Sequence, residues 1–255
     1  MRTLYYIHII MDIVPIILAG GDGKRMNSSI PKVLHHIIGV PMVVRVIQSA
    51  MLLHPCKIII VVGKHRAIIQ KTIEEYMSDA SLLCYVEQTT PMGTGHALMC
   101  CQDELQKTPN AKCLILSGDV PLIKTNMLEE LVSNGHKTTL VTTEMKNPFG
   151  YGRIVTNNGT FQKIVEEKDA SLQEKRINMV NAGIYCIISS YLLSHLSKLS
   201  NNNASQEYYL TDIIEIIRVH ENEQIYLHII HPDEQFQIRG VNTQEQLVEL
   251  EEYVI

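Results

Sequence analysis

Apolar residues along the chain fall into short continuous runs separated by stretches of helical period. Residues 13–18 form one such run and end in a glycine-rich segment, and similar runs recur at 57–62, 82–87, 113–116 and 138–144. Between them, 42–53, 65–77, 94–105 and 126–134 repeat their apolar positions every three to four residues. Strands covered on both faces read as unbroken apolar runs, so this alternation predicts an α/β fold with a mixed, mostly parallel sheet flanked by helices.

After Asn147 the texture changes. Residues 153–155 and 161–166 flank Asn157, Asn158 and Gly159, which suit a tight hairpin, so a β-rich excursion is expected over 150–182. The pattern then predicts a strand at 179–188, a helix at 208–219, a strand at 225–230 and a closing helix at 243–253 with Thr243 as its N-cap. With no repeat and no long linker, we read residues 1–10 as an N-terminal extension and 11–255 as one domain. Deleting the first ten residues is expected to leave that domain folded.

Composition narrows the function. The 255 residues are 45% hydrophobic, enough for a large core without staples, and 22 basic against 27 acidic residues give a formal charge of -5. No clustered basic charge marks a nucleic-acid partner, and no run reaches the ~20 apolar residues that span a membrane. Residues 4–11 loosely imitate a secretory signal, but His8, Asp12 and Pro15 interrupt it. The six cysteines show no metal-site spacing and read as reduced core thiols of a cytosolic protein.

The segment Leu18-Ala19-Gly20-Gly21-Asp22-Gly23-Lys24-Arg25-Met26, followed by Pro31-Lys32, carries the first chemistry. Glycines after a buried strand let backbone N–H groups approach an anion, and Lys24, Arg25 and Lys32 add cations. This is a candidate phosphate cradle. It lacks the GK[ST] ending of a Walker loop, and the next strand closes with Val62-Gly63-Lys64 instead of the acidic residue of a dinucleotide fold.

The segment resembles the signature of the sugar-nucleotide pyrophosphorylases, LAAGxGxRM followed by PKxL, here LAGGDGKRM and PKVL. The resemblance continues through GTGHA at 93–97, GDVPL at 118–122, NPFGYGRI at 147–154, VEEKDA at 165–170, NAGI at 181–184, NNN at 201–203 with EYYLTD at 207–212, and GVN at 240–242. In this order the blocks look like the uridylyltransferase half of the bifunctional bacterial enzyme that makes UDP-N-acetylglucosamine. The resemblance implies a Rossmann-like nucleotidyltransferase fold, with UTP and N-acetylglucosamine 1-phosphate as substrates and Mg²⁺ as cofactor.

Matched residue by residue, it implies Arg25 and Lys32 as the catalytic cations. It places Leu18, Ala19, Gly20, Gly21, Gln88, Gly93 and Thr94 on the nucleotide, and Ser117, Tyr151, Gly152, Glu166 and Asn181 on the sugar. Asp119 and Asn242 would hold the metal. His96 reads as an orienting residue, because a phosphate monoester, with its second pKa at about 6, needs no base to become a nucleophile. Two positions depart from the pattern: Lys24 stands where Thr or Ser is usual, and Ser117 where the fused enzymes often have Tyr.

The chain reaches Ile255 with no hexapeptide repeat, so uridylyl transfer without an acetyltransferase half is expected. Two other readings stay open: a pyrophosphorylase for a different sugar 1-phosphate, and a catalytically silent UDP-sugar-binding module. A glycosyltransferase would ordinarily show a DxD motif, which Asp119-Val120-Pro121 does not supply.

Overall fold

A computed structural model describes residues 11–21, 23–26 and 28–254. The N-terminal extension expected at 1–10 lies outside the described residues. The strands are β1 (Ile13–Leu18), β2 (His36–Ile37), β3 (Val40–Pro41), β4 (Ile58–Val62), β5 (Leu83–Glu87), β6 (Lys112–Ser117), β7 (Thr138–Glu144), β8 (Arg153–Asn157), β9 (Thr160–Val165), β10 (Met179–Ile188) and β11 (Tyr226–Ile229). The helices are α1 (Met42–Met51), α2 (Arg66–Tyr76), α3 (Thr94–Met99), α4 (Gln102–Gln106), α5 (Thr125–Ser133), α6 (Ser189–His195), α7 (Asp212–Glu221) and α8 (Gln244–Glu251).

The main sheet runs β11-β7-β10-β6-β1-β4-β5, with the β8–β9 hairpin attached to β10. All its pairings are parallel except those of β10 and of the hairpin, which makes the sheet mixed and mostly parallel, as the pattern predicts. Side chains alternate between two cores because successive residues of a strand face opposite ways. Ile58, Ile60 and Val62 join α1, α2 and α5 on one face, while Ile59 and Val61 join α3, α6, α7 and the hairpin on the other. A third, small cluster of Met26, Ile37, Met42, Val241, Leu247 and Leu250 packs α8 beside the glycine loop. That cluster brings residue 25 next to residue 242.

Several elements differ from the sequence pattern, among them the short β2–β3 pair, which no apolar run announces. The helix expected over 94–105 breaks at Cys100 and Cys101, where Cys101 N–H donates to Leu98 O at 2.9 Å and tightens the turn. The helix expected from residue 208 starts at Asp212. Tyr208 N–H donates to Met92 O and Tyr208 O accepts from Gly95 N–H, both at 2.8 Å, so residue 208 is committed to another loop. Helix α6 has no counterpart in the sequence pattern, since its three serines mask a short apolar run; Ser189 Oγ accepts from Ala111 N–H. The cysteines also divide: Cys101, Cys113 and Cys186 are buried, but Cys56 is exposed and is no core thiol. Among the described residues no helix is long and apolar enough to cross a membrane.

Candidate active site

The strand order turns back around β1, with β4 on one side and β6 on the other, and open α/β sheets bind ligands at the carboxyl ends of strands beside such a point. The cleft there has two cavities. One, of about 460 Å³, is lined by Leu18, Gly20, Gly21, Lys32, Gln88, Gly93 and Thr94. The other, of about 570 Å³, is lined by Arg25, Tyr151, Gly152, Glu166, Asn181 and Asn242. Leu18, Thr94, Ser117 and Asp119 line both, so the cavities meet at the end of β6. Of the sixteen residues singled out in the sequence, only Ala19 stands behind the walls, buried with its N–H on Val61 O at 2.8 Å.

Five side chains converge where the cavities join. Ser117 Oγ donates to Asp119 Oδ1 at 2.6 Å, and Lys32 Nζ contacts Asp119 Oδ2. Asn242 Oδ1 accepts from Lys32 Nζ at 3.2 Å and from Arg25 Nη2 at 2.9 Å. The backbone supports the cluster: Gly118 N–H donates to Leu18 O and Val241 N–H to Asp119 O. One carboxylate oxygen and one amide oxygen thus face a common cation. That donor set suits Mg²⁺, which takes few protein oxygens and fills its octahedron with water and phosphate. Among the described residues no group of three or more His, Cys, Asp or Glu is placed to hold a metal.

On the first cavity, Gln88 is buried at 8% exposure, and its Nε2 lies 3.0 Å from both Gly93 O and His96 Nδ1. Both amide protons are therefore used, and Oε1 is left to accept. Gly93 has φ +102, and a Cβ there would meet Tyr208 O at 2.5 Å, so only glycine fits. Leu210 N–H donates to Thr94 Oγ1, which ties the 207–211 loop to the start of α3.

On the second cavity, β10 shifts register against β7 between Asn181 and Tyr185. The irregularity directs Asn181 inward, a common use of bulges beside sites. Asn181 Nδ2 donates to the Tyr185 hydroxyl at 2.7 Å and Oδ1 accepts from Gly183 N–H at 3.0 Å, so the amide is pinned. Glu166 Oε1 accepts from Thr211 Oγ1 at 3.0 Å, while burial pushes its carboxyl above the usual range against that bond. Glu167 turns away to Arg153 at 2.5 Å and Gly150, holding the loop.

A nucleotidyl transferase family profile matches residues 14–231. The chain belongs to that family. The bifunctional protein GlmU of Psychrobacter sp. (strain PRwf-1) is 42% identical over 238 residues, covering 92% of this chain and 50% of the relative. A protein of Acanthamoeba polyphaga mimivirus named "Probable UDP-N-acetylglucosamine pyrophosphorylase" is 37% identical over 240 residues, covering 92% and 93%. The chain therefore spans about half the length of the bifunctional relative and nearly all of the viral one. A UDP-glucose pyrophosphorylase solved with UDP-glucose shares the fold at TM-score 0.71 and 18% identity, over 96% of this chain and 98% of that one.

Within this nucleotidyltransferase, Thr211, Tyr185 and Gln246 also shape the cleft, although none is among the site residues that the resemblance implies. Gln246 had a signal, because Thr243-x-x-Gln246 is a capping-box spacing: Thr243 Oγ1 accepts from Gln246 N–H, and Gln246 Oε1 accepts from Asn242 N–H at 2.7 Å. A separate cavity of about 990 Å³ shares only Tyr151 and Gln246 with the second cavity and contains none of Asp119, Lys32 and Asn242.

Asp212, behind Glu166, is pushed up to about 6 by burial and then by Glu166, Glu215 and Asp169. A carboxyl raised in the folded state binds more protons there than in the unfolded chain between about pH 4 and 6, so its contribution improves as pH falls through that window. Asp212→Asn should therefore raise stability at pH 7 by about 1 kcal/mol, a value discounted for partial exposure and for the favourable helix N-terminus. Thermal melts should show the gain fading as pH falls from about 6 to about 4 and absent below that, where wild-type Asp212 is neutral in both states. A gain unchanged at low pH would locate the effect in packing.

Proposed function

We propose that this nucleotidyltransferase is a Mg²⁺-dependent UTP:N-acetylglucosamine-1-phosphate uridylyltransferase of the cytosol. The names of its GlmU and viral relatives support the substrates, and the free thiols support the compartment. The observation that carries the reading is the meeting of two cavities at Asp119, Lys32, Arg25 and Asn242. A nucleotide in one and a sugar phosphate in the other would have their phosphates at that junction.

A phosphate oxygen of the sugar 1-phosphate attacks the α-phosphorus of UTP. The new P–O bond forms as the bond to the bridging oxygen breaks, and pyrophosphate leaves with the electron pair. The nucleophile is already largely anionic at pH 7, so the protein's task is positioning and charge neutralisation. Arg25 can clamp phosphate by two prongs and Lys32 acts as a point charge. Asp119 and Asn242 would hold Mg²⁺, which when bound supplies further positive charge to the phosphates.

Gln88 Oε1, its amide fixed by Gly93 and His96, would accept from uracil N3–H. Gln88→Glu gives up both donors and offers carboxylate oxygens that suit the amino group of cytosine. The preference for UTP over CTP, as a ratio of kcat/KM, should fall roughly ten- to a hundredfold, the worth of one or two such bonds. An unchanged ratio would remove Gln88 from the base site.

Pyrophosphate release from UTP and Mg²⁺ with a panel of sugar 1-phosphates tests the whole proposal. Release with N-acetylglucosamine 1-phosphate is expected. No release with any sugar phosphate would leave only a silent binding module.

A further inference from the structure

Lys32 opens the 3₁₀ turn Lys32–Leu34, and its stem lies against Gly23, where a Cβ would collide with Lys32 Cβ. Its ammonium sits between Asp119 Oδ2 and Asn242 Oδ1, with only 15% of its side chain and 13% of that of Asp119 exposed. Mg²⁺ binds oxygen at about 2.1 Å, so an ion bridging these same two oxygens would lie within the volume the ammonium fills. Two cations cannot share that point.

We propose that Lys32 is a built-in stand-in for the metal. It holds Asp119 and Asn242 together before the metal arrives and must be expelled from between them for the metal to bind. The inference rests on the reading of Asp119 and Asn242 as the metal-binding pair. Because the base of the stem is held at Gly23, the outer methylenes are what can swing. Lys32 already lines the nucleotide cavity beside Gly20 and Gly21, so a nucleotide phosphate is the anion within its sweep.

Two consequences follow from the exclusion. In the absence of nucleotide the displaced ammonium has lost its anionic partner and faces a repelling ion, so divalent cations bind weakly. With a triphosphate present the ammonium gains a new partner, so nucleotide tightens metal and, by reciprocity, metal tightens nucleotide. Lys32 would then serve twice, first as a guard against idle metal and afterwards as a phosphate contact.

Binding of Mn²⁺ to the full chain, followed by the loss of the free-ion paramagnetic resonance signal, tests this without turnover. Lys32→Met should bind Mn²⁺ in the absence of nucleotide at least fivefold tighter than wild type, and at least fivefold tighter than Arg25→Met. The Arg25 variant removes an equal charge that touches Asn242 but not Asp119. Lys32→Gln, checked with Lys32→Met for a native melt, should behave alike. The tightening of Mn²⁺ by α,β-methylene-UTP should be smaller in the Lys32 variants than in wild type. Asp119→Asn should abolish nucleotide-free binding. A gain under fivefold, or an equal gain in Arg25→Met, would overturn the stand-in role while leaving the metal pair in place. Mn²⁺ binding untouched by Asp119→Asn, or absent from every protein, would overturn the metal pair and the stand-in with it.

Discussion

Asp119→Asn should lower turnover by on the order of a hundredfold or more while the protein stays folded, the scale of losing one preorganised electrostatic group. The fold survives because the backbone around residue 119 is held independently of the carboxylate. Gly118 N–H is on Leu18 O at 2.9 Å, and the carbonyl of Asp119 receives Val241 N–H at 3.0 Å. Asparagine keeps the volume and one accepting oxygen, so Ser117 Oγ retains a partner. What disappears is the negative charge that pairs with Lys32 and that would hold the metal together with Asn242. A neutral amide is a poor ligand for a hard cation, and Lys32 would be left with Asn242 alone. Pyrophosphate release and a melting curve on one preparation check both halves. Turnover within about threefold of wild type, small beside the loss of a preorganised charge, would take Asp119 out of the site.

Much of the fold was legible because strands of this sheet are buried on both faces and bounded by turn residues. β1, β7 and β10 carry the bounds their apolar runs imply. The hairpin turn settles on Asn158 and Gly159, both at positive φ, as two-residue loops require. The misplaced start of α7 has a long-range cause that local pattern cannot carry, since Tyr208 is taken by Met92 and Gly95. The candidate site was legible as a set of residues and illegible as a network. Lys32 meets partners 87 and 210 positions away, and Thr211 meets Glu166 across 45. Spacing in sequence says nothing of such pairs. Ser117 shows the limit best: its position matches the sugar side, but its hydroxyl is spent on Asp119.

N-acetylglucosamine 1-phosphate should be preferred to glucose 1-phosphate by roughly tenfold to a thousandfold in kcat/KM, short of the ~10⁴-fold that fully hydrogen-bonded pockets reach. The second cavity, where the sugar would lie, presents polar groups that are already held in place. The Asn181 amide is fixed by Tyr185 and Gly183, and the Glu166 carboxylate by Thr211, so each offers its remaining valences without further ordering. Gly152 forms a close floor, since a Cβ there would meet Ile164 at 2.9 Å and lie 3.6 Å from both Asn181 and Glu166. A 2-acetamido group brings a donor and an acceptor to these groups, whereas a 2-hydroxyl leaves part of them unpaired in a confined space, at a cost of about 1–3 kcal/mol per group. The ceiling is set by Ser117. Its side chain is short and its proton is committed to Asp119 Oδ1 at 2.6 Å, so it adds no aromatic wall and no donor to the sugar. Side-by-side kcat/KM values at saturating UTP and Mg²⁺ decide the matter. Equal values, or a preference for glucose 1-phosphate, would make this a pyrophosphorylase for another hexose phosphate, with Asp119, Lys32 and Arg25 keeping their roles because they act on phosphate and not on the sugar.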